Sequence, residues 1–185
     1  PACEYYCLHW AFRENIEVIN SDSFNELLVL HKDKLPFYQE VFFQERNRFR
    51  LINKKKWLQL HNLYDNMAES WESLSRIYNI FIVSNKDKVS IILLLNYFKL
   101  CLKENRIFGA EFGNEKSKII LNIMNDTSTN PEDIYFIDDN LDNLKSVKHL
   151  NIKLFHAMWG YVHTEESQDS GVEKIYLDNI LPRLT

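Results

Sequence analysis

The chain has 185 residues, which is enough for one domain or for a core with a small insertion. Hydrophobic residues make up 45% and charged residues 26% of the sequence, an ordinary balance for a globular protein. The formal net charge of −4 argues against a general nucleic-acid binder, and no apolar run is long enough to span a membrane. Three cysteines without secretory features favour reduced thiols and a cytoplasmic location.

The first third of the chain carries apolar residues at helical spacing and no convincing strand. Helices are predicted over residues 3–16, from Asp22-Ser23 onward, from Pro36 onward and around Trp57. The basic residues between Arg46 and Lys56 favour a solvated helix face, and a ligand-facing role is the alternative. The first 65 or so residues are therefore expected to be entirely helical.

From about Met67 the pattern changes to short apolar runs that alternate with helices. Strands are predicted at Ile80–Val83, Phe108–Phe112, Ile134–Ile137, Lys153–Met158 and Ile175–Leu177. Strands that alternate with helices in this way are typical of a parallel α/β sheet. We therefore expect an α/β fold for the remainder of the chain.

Polar residues follow the first of these strands, and a lysine opens a later helix. Ser84 and Asn85 come directly after Ile80–Val83, where open α/β sheets bind ligands. The alternative is a strand that leaves the core through a polar turn. Lys116 opens a predicted helix, so its ammonium group and the helix N-terminus could act on one anion.

Two adjacent carboxylates, Asp138 and Asp139, end the strand at Ile134–Ile137. Adjacent carboxylates repel each other unless a cation or a proton lies between them. A hard divalent ion such as Mg²⁺ is their natural partner, held by few carboxylates together with water and substrate phosphate. Capping of the next helix is the alternative, but one cap would not explain two aspartates.

These landmarks, in this order, resemble those of the haloacid dehalogenase-like superfamily, especially its phosphatases with a helical cap. Ile80–Asn85 is similar to the second motif of the family, Lys116 to the basic residue of the third, and Ile134–Asp139 to the fourth. Lys118 is the alternative to Lys116. The ending Met158-Trp159-Gly160-Tyr161 looks like the Trp-Gly-Tyr turn of phosphoglycolate phosphatase-like members.

The resemblance implies a doubly wound, Rossmann-like core over residues 69–185 and a small all-helical cap over residues 1–68. It implies a Mg²⁺-dependent phosphomonoester hydrolase that acts on a small phosphorylated metabolite through an aspartyl-phosphate intermediate. In that scheme Asp138 and Asp139 hold Mg²⁺, Ser84 and Asn85 bind the phosphoryl oxygens, and Lys116 neutralises charge on the nucleophile and the phosphate. No nucleic-acid or membrane partner is expected.

The sequence departs from the family at its first motif, a strand that ends in Asp-x-Asp, because these 185 residues contain no Asp-x-Asp. In the family this strand is central, and a sheet without it would leave two rows of unpaired backbone groups. We therefore expect the strand just upstream of Pro1. The alternative function is a degenerate, non-catalytic binding module. Dehalogenation is a lesser alternative, since it does not need the metal that paired acids suit.

Overall fold

The computed structural model describes residues 4–18, 20–113, 115–160, 162 and 172–184. The chain divides into two compact units, Pro1–Leu60 and His61–Thr185. The interpretation of residues 1–68 as a cap stays a prediction. The expectations for Pro1, for Tyr161 and for the polar loop at 165–171 lie outside the described residues.

The described part of the first unit consists of helices, as predicted, and contains no strand. Its helices are α1 (Glu4–Arg13), α2 (Ser21–Leu30), α3 (Leu35–Ile52) and α4 (Lys54–Gln59). Asn20, rather than Asp22, caps α2, because its Oδ1 accepts from the Ser23 N–H at 3.0 Å while Ser23 Oγ accepts from the Asn20 N–H. Cys7, Ala11 and Leu27 form the buried centre of this unit.

The second unit alternates strands with helices, which confirms the α/β prediction. Its elements are α5 (Met67–Ile77), β1 (Ile82–Val83), α6 (Lys88–Tyr97), β2 (Ile107–Phe108), α7 (Lys116–Thr127), β3 (Tyr135–Asp138), α8 (Leu141–Val147), β4 (Lys153–Ala157), β5 (Glu173–Ile175) and α9 (Ile180–Leu184). The strand predicted at Phe108–Phe112 is shorter than expected. Residues 110–112 form a 3₁₀ turn, since the Ala110 N–H donates to the Lys86 carbonyl and draws the chain out of the ladder.

The five strands form two parallel sheets. In the first sheet β1 pairs with β2, with Ile82 opposite Ile107. In the second sheet the order is β3-β4-β5, with Asp138 opposite His156. Within the described ranges β1 and β3 do not pair with each other, so the two strands that carry the predicted site belong to different sheets.

Side chains on the two faces of β3 and β4 pack against different helices. Phe136 and Leu154 lie against a core formed by α7, α8 and the segment between α8 and β4, which contains Ile120, Met124, Val147, Leu150 and Ile152. The alternate residues Tyr135, Ile137 and Phe155 pack on the other face with side chains of α5 and α9. Successive side chains of each strand point to opposite faces of the sheet, and helices cover both faces, as in a doubly wound sheet. Polar groups are therefore left at the strand ends.

In the first sheet, Ile107 of β2 packs with Ile91 and Leu95 of α6. Full burial of each such side chain contributes about 1.5–3 kcal/mol, so this contact fixes α6 against the short ladder. Among the described helices, none is both long and apolar enough to cross a membrane.

Candidate active site

A buried ion pair joins the start of α7 to the end of β3. Nζ of Lys116 lies 2.6 Å from Oδ2 of Asp138, and the two side chains are only 7% and 10% exposed. The ammonium group also lies 5.6 Å from the ring centre of Phe136. Because water is largely excluded, removal of either partner would leave a buried charge without its counter-ion.

The second oxygen of Asp138 is held by the turn that follows. Its Oδ1 accepts from the backbone N–H of Asn140 at 2.9 Å and from Nδ2 of Asn143 at 3.0 Å. Asn140 in turn caps α8, since its Oδ1 accepts from the N–H groups of Asp142 and Asn143. The capping role considered for the aspartates therefore belongs to Asn140.

Asp139 lies against the turn that follows β4. A Cβ atom added at Gly160 would collide with Cβ, Cγ and Oδ2 of Asp139, so this position of the carboxylate requires a glycine opposite it. The carbonyl oxygen of Asp139 lies 3.1 Å from Nε2 of the buried His156. Gly160 belongs to the Trp-Gly-Tyr ending noted in the sequence, so the structure places this glycine of the ending against the predicted metal ligand.

Ser84 and Asn85 follow β1 as the sequence predicted. The Ser84 N–H continues the ladder by donating to the Phe108 carbonyl at 2.9 Å. Its Oγ accepts from the Lys86 N–H at 3.1 Å, which leaves the hydroxyl hydrogen to donate to another group. Asn85 is exposed. Asp87 then caps α6 by accepting from the Ser90 N–H at 2.9 Å.

A second loop fixes the segment that carries Ser84. The carboxylate of Glu111 accepts from the Lys88 N–H at 2.8 Å, and the Ala110 N–H donates to the Lys86 carbonyl at 3.1 Å. Gly109 allows this approach, because a Cβ there would lie within 3 Å of the backbone at Lys86 and Lys88. The loop after β1 is therefore held by the Glu111 carboxylate and by a backbone hydrogen bond.

The structure thus brings together part of the predicted site. Lys116 contacts Asp138, and Asp139 is the next residue, whereas Ser84 and Asn85 lie at the end of the other sheet. The alternative lysine, Lys118, is 73% exposed and pairs with Glu115 at the surface. Lys116, in contrast, is buried and contacts the Asp138 carboxylate, and its assignment as the site lysine stays a prediction.

The donor chemistry at the end of β3 fits a hard divalent cation. Two adjacent carboxylates offer oxygen ligands, and Mg²⁺ characteristically combines one or two of these with waters and substrate phosphate. Within the described ranges no group of three or more His, Cys, Asp or Glu side chains forms an all-protein cage.

Sequence reasoning missed two residues that support the aspartates. Asn143 donates to Asp138 and His156 contacts Asp139. The sequence carried a signal for the first: a helix capped by Asn140 places Asn143 in its first turn, facing the strand end. For His156 the sequence showed only a polar residue within an apolar strand.

Comparison with known proteins supplies the family context of this geometry. The model of a family described as haloacid dehalogenase-like hydrolase matches residues 8–157. Among solved structures, a haloacid dehalogenase-like hydrolase from Streptococcus pneumoniae is similar with a TM-score of 0.67 and 14% identity, covering 99% of this chain and 90% of that chain. A search of curated proteins found no match.

Two further solved structures show the same likeness. A predicted phosphatase from Clostridium acetobutylicum has a TM-score of 0.65 and 19% identity, covering 98% of this chain and 88% of that chain. A predicted phosphoglycolate phosphatase from Haemophilus somnus has a TM-score of 0.61 and 16% identity, covering 98% of this chain and 76% of that chain. At these identities the likeness concerns the fold, which is therefore the α/β fold that the sequence predicted.

Proposed function

Because the chain belongs to the haloacid dehalogenase-like hydrolase family, we propose that it is a Mg²⁺-dependent phosphomonoester hydrolase that acts on a small phosphorylated metabolite. The observation that carries this proposal is the buried Lys116–Asp138 pair, 2.6 Å apart, directly before Asp139 at the carboxyl end of β3. Such a placement combines a fixed cation with two carboxylates where α/β sheets bind their ligands.

Asp138 and Asp139 would hold the metal in this proposal. When bound there, Mg²⁺ would offset the repulsion between an anionic nucleophile and a phosphate group. Lys116 adds a second positive charge whose position is set before substrate arrives, because Asp138 and the first turn of α7 hold it. A charge fixed in advance stabilises the transition state without reorganisation during the reaction.

Ser84 and Asn85 are proposed to bind the phosphoryl oxygens. The Ser84 oxygen already accepts from the Lys86 N–H, so its hydroxyl hydrogen is the part that can donate to an anion. The backbone at this point is held by the contacts from Glu111 and Ala110, which keep the donor in place. Residues 1–68 are proposed as the helical cap that selects the substrate.

The nucleophile is proposed to be the first aspartate of an Asp-x-Asp motif on a strand preceding Pro1, and the reaction to pass through an aspartyl-phosphate. The separation of β1 from β3 supports this proposal, since a strand that lies between them requires that they not pair with each other. Direct pairing of the two strands would have argued for a sheet that is complete without the motif.

A second candidate function is a binding module that keeps the fold without catalysis. The absence of Asp-x-Asp from these 185 residues favours it. Such a module would retain metal binding at Asp138 and Asp139 while turning over no substrate. The two candidates therefore differ in turnover rather than in metal binding.

The test measures hydrolysis of p-nitrophenyl phosphate by the full-length protein, with Mg²⁺ and with excess chelator. We expect activity with Mg²⁺ alone, and a loss of more than about 100-fold in Asp139→Ala, beyond the loss typical of residues that only support a ligand. Asp142→Ala is the matched control, because this aspartate is 89% exposed and pairs with Lys145 at the surface. Full activity in chelator or in Asp139→Ala would overturn the metal-dependent mechanism, and metal binding without turnover would favour the binding module.

A further inference from the structure

A buried histidine contacts the backbone of the predicted metal ligand from the neighbouring strand. His156 lies on β4 opposite Asp138 and is 1% exposed. Its Nε2 lies 3.1 Å from the carbonyl oxygen of Asp139. Because a carbonyl oxygen only accepts, Nε2 must carry the hydrogen that forms this bond.

The other ring nitrogen makes this histidine costly to bury. Nδ1 of His156 has no hydrogen-bond partner within the described ranges. An unsatisfied buried polar atom costs about 1–3 kcal/mol, and a leucine of similar volume would avoid that cost. The neighbouring positions on β4 are apolar, with Phe155 and Ala157 both buried. The bond to the Asp139 carbonyl is therefore what the histidine adds at this position.

We propose that His156 is a positioning residue for the metal site. Lys116 and Asn143 fix the carboxylate of Asp138, and the Asn140 N–H ties that carboxylate to one end of the Asp139–Asn140 peptide, whose other end is the Asp139 carbonyl. The hydrogen bond from His156 holds the carbonyl of Asp139, and with it the direction in which the Asp139 side chain leaves the backbone. This inference rests on the proposed function, since it assigns His156 to the Mg²⁺ affinity of that site.

The structure specifies which substitutions preserve the bond. In His156→Gln the side-chain amide reaches the position of Nε2 and can donate to the same carbonyl. In His156→Asn the amide is one methylene shorter, reaches the position of Nδ1 and cannot contact Asp139. His156→Leu fills the space without a donor. Phe155→Leu is the control for packing, because Phe155 is buried on the opposite face of β4.

The experiment measures metal binding directly, by the electron paramagnetic resonance signal of free Mn²⁺ and its displacement by Mg²⁺, on full-length protein without substrate. We expect the Asn and Leu variants to bind the metal about 10–100-fold more weakly than the wild type, the range seen for residues that orient metal ligands. We expect the Gln and Phe155→Leu variants to bind within about threefold of the wild type. The melting temperature of each variant, measured in parallel, separates metal affinity from stability.

Three outcomes decide the matter. Weaker metal binding by His156→Asn, together with near-wild-type binding by His156→Gln, supports the positioning role. This comparison remains possible even if His156→Leu does not fold. The inference is overturned if His156→Asn binds the metal with wild-type affinity, or if His156→Asn and His156→Gln are weakened equally. Either outcome leaves the proposed function intact. Failure of the wild type to bind either metal contradicts the proposed function and this inference together.

Discussion

Nζ of Lys116 and Oδ2 of Asp138 lie 2.6 Å apart, and this contact links the first residue of α7 to the last residue of β3. Both side chains are about nine-tenths buried, so neither charge has water as an alternative partner. The pair is therefore a unit that orients Asp138, the proposed metal ligand, and fixes a cation beside it. Loss of one member affects stability as well as chemistry.

Substitution of the two lysines of α7 separates these roles. Lys116→Met should lower the free energy of unfolding by about 3–5 kcal/mol, because the buried Asp138 loses its counter-ion. Phosphatase activity should fall at the same time. Lys118→Met should change stability by less than about 1 kcal/mol, since its pair with Glu115 is exposed to solvent. Urea unfolding and hydrolysis of p-nitrophenyl phosphate are the measurements.

The double variant Lys116→Met with Asp138→Leu provides the control for stability. Removal of both charges should recover much of the stability that Lys116→Met loses, without recovery of activity. An inactive Lys118→Met variant beside a normal Lys116→Met variant would show that the third motif begins two residues later than proposed.

The sequence predicted the parts of this site that depend on local pattern. An apolar run followed by two acids predicts the end of a buried strand, and the structure ends β3 at Asp138. A lysine that opens an amphipathic segment predicts a helix start, and α7 begins at Lys116. Parallel strands and the helices between them bring such ends to one edge, which accounts for the contact between two residues 22 positions apart.

The sequence did not predict features that depend on register between elements. The contact of His156 with Asp139 depends on the pairing of β4 with β3, and a shift of one residue would turn the ring to the other face. The close approach of Gly160 to Asp139 depends on the same register. No pattern within either segment carries that information, so these supports could only come from the structure.

Gly160→Ala should weaken metal binding without a change in any ligand. The added methyl group would overlap Cβ and Cγ of Asp139, which are not the far end of a flexible side chain, so the carboxylate must turn away. We expect Mg²⁺ affinity to fall at least tenfold. Gly113→Ala is the control, because nothing lies within 4 Å of a Cβ atom added there. Its φ of +90° means that the substitution strains the backbone without a contact to any other residue.

Competition of Mg²⁺ against bound Mn²⁺ measures the effect, and thermal melting accompanies it. Gly113→Ala should lower the melting temperature and leave metal affinity unchanged. Equal metal affinity in Gly160→Ala and the wild type would mean that the position of Asp139 against the turn is unimportant for binding.

Ser84→Ala should reduce turnover because the hydroxyl hydrogen that can donate to a phosphoryl oxygen is removed. Loss of one such donor costs about 10²–10³ in kcat at comparable sites. Ser84→Thr keeps the hydroxyl and should retain most of the activity. Ser75→Ala is the matched control, since the Ser75 hydroxyl only donates to the Glu72 carbonyl on the exposed side of α5. Unchanged kcat in Ser84→Ala would remove Ser84 from the site.

Tyr78 should make the protein less stable at alkaline pH. Its hydroxyl donates to the Leu184 carbonyl at 2.6 Å. Burial, with a smaller effect from Tyr135, raises the pKa of Tyr78 above its ordinary value of 10.0, while Lys153 partly opposes the shift. Above pH 10 the unfolded chain loses this proton before the folded chain does, so the folded state binds more protons. Stability then falls as pH rises through that range.

Tyr78→Phe should remove the contribution of position 78 to this alkaline loss of stability. At pH 8 the variant should be less stable by about 0.5–1.5 kcal/mol, because the hydrogen bond to Leu184 is lost. Between pH 8 and pH 11 it should lose less stability than the wild type, because position 78 no longer titrates. Urea unfolding at both pH values measures the difference, with Tyr97→Phe at a 44% exposed site as the control. An equal alkaline loss in Tyr78→Phe and the wild type would show that deprotonation of Tyr78 does not contribute.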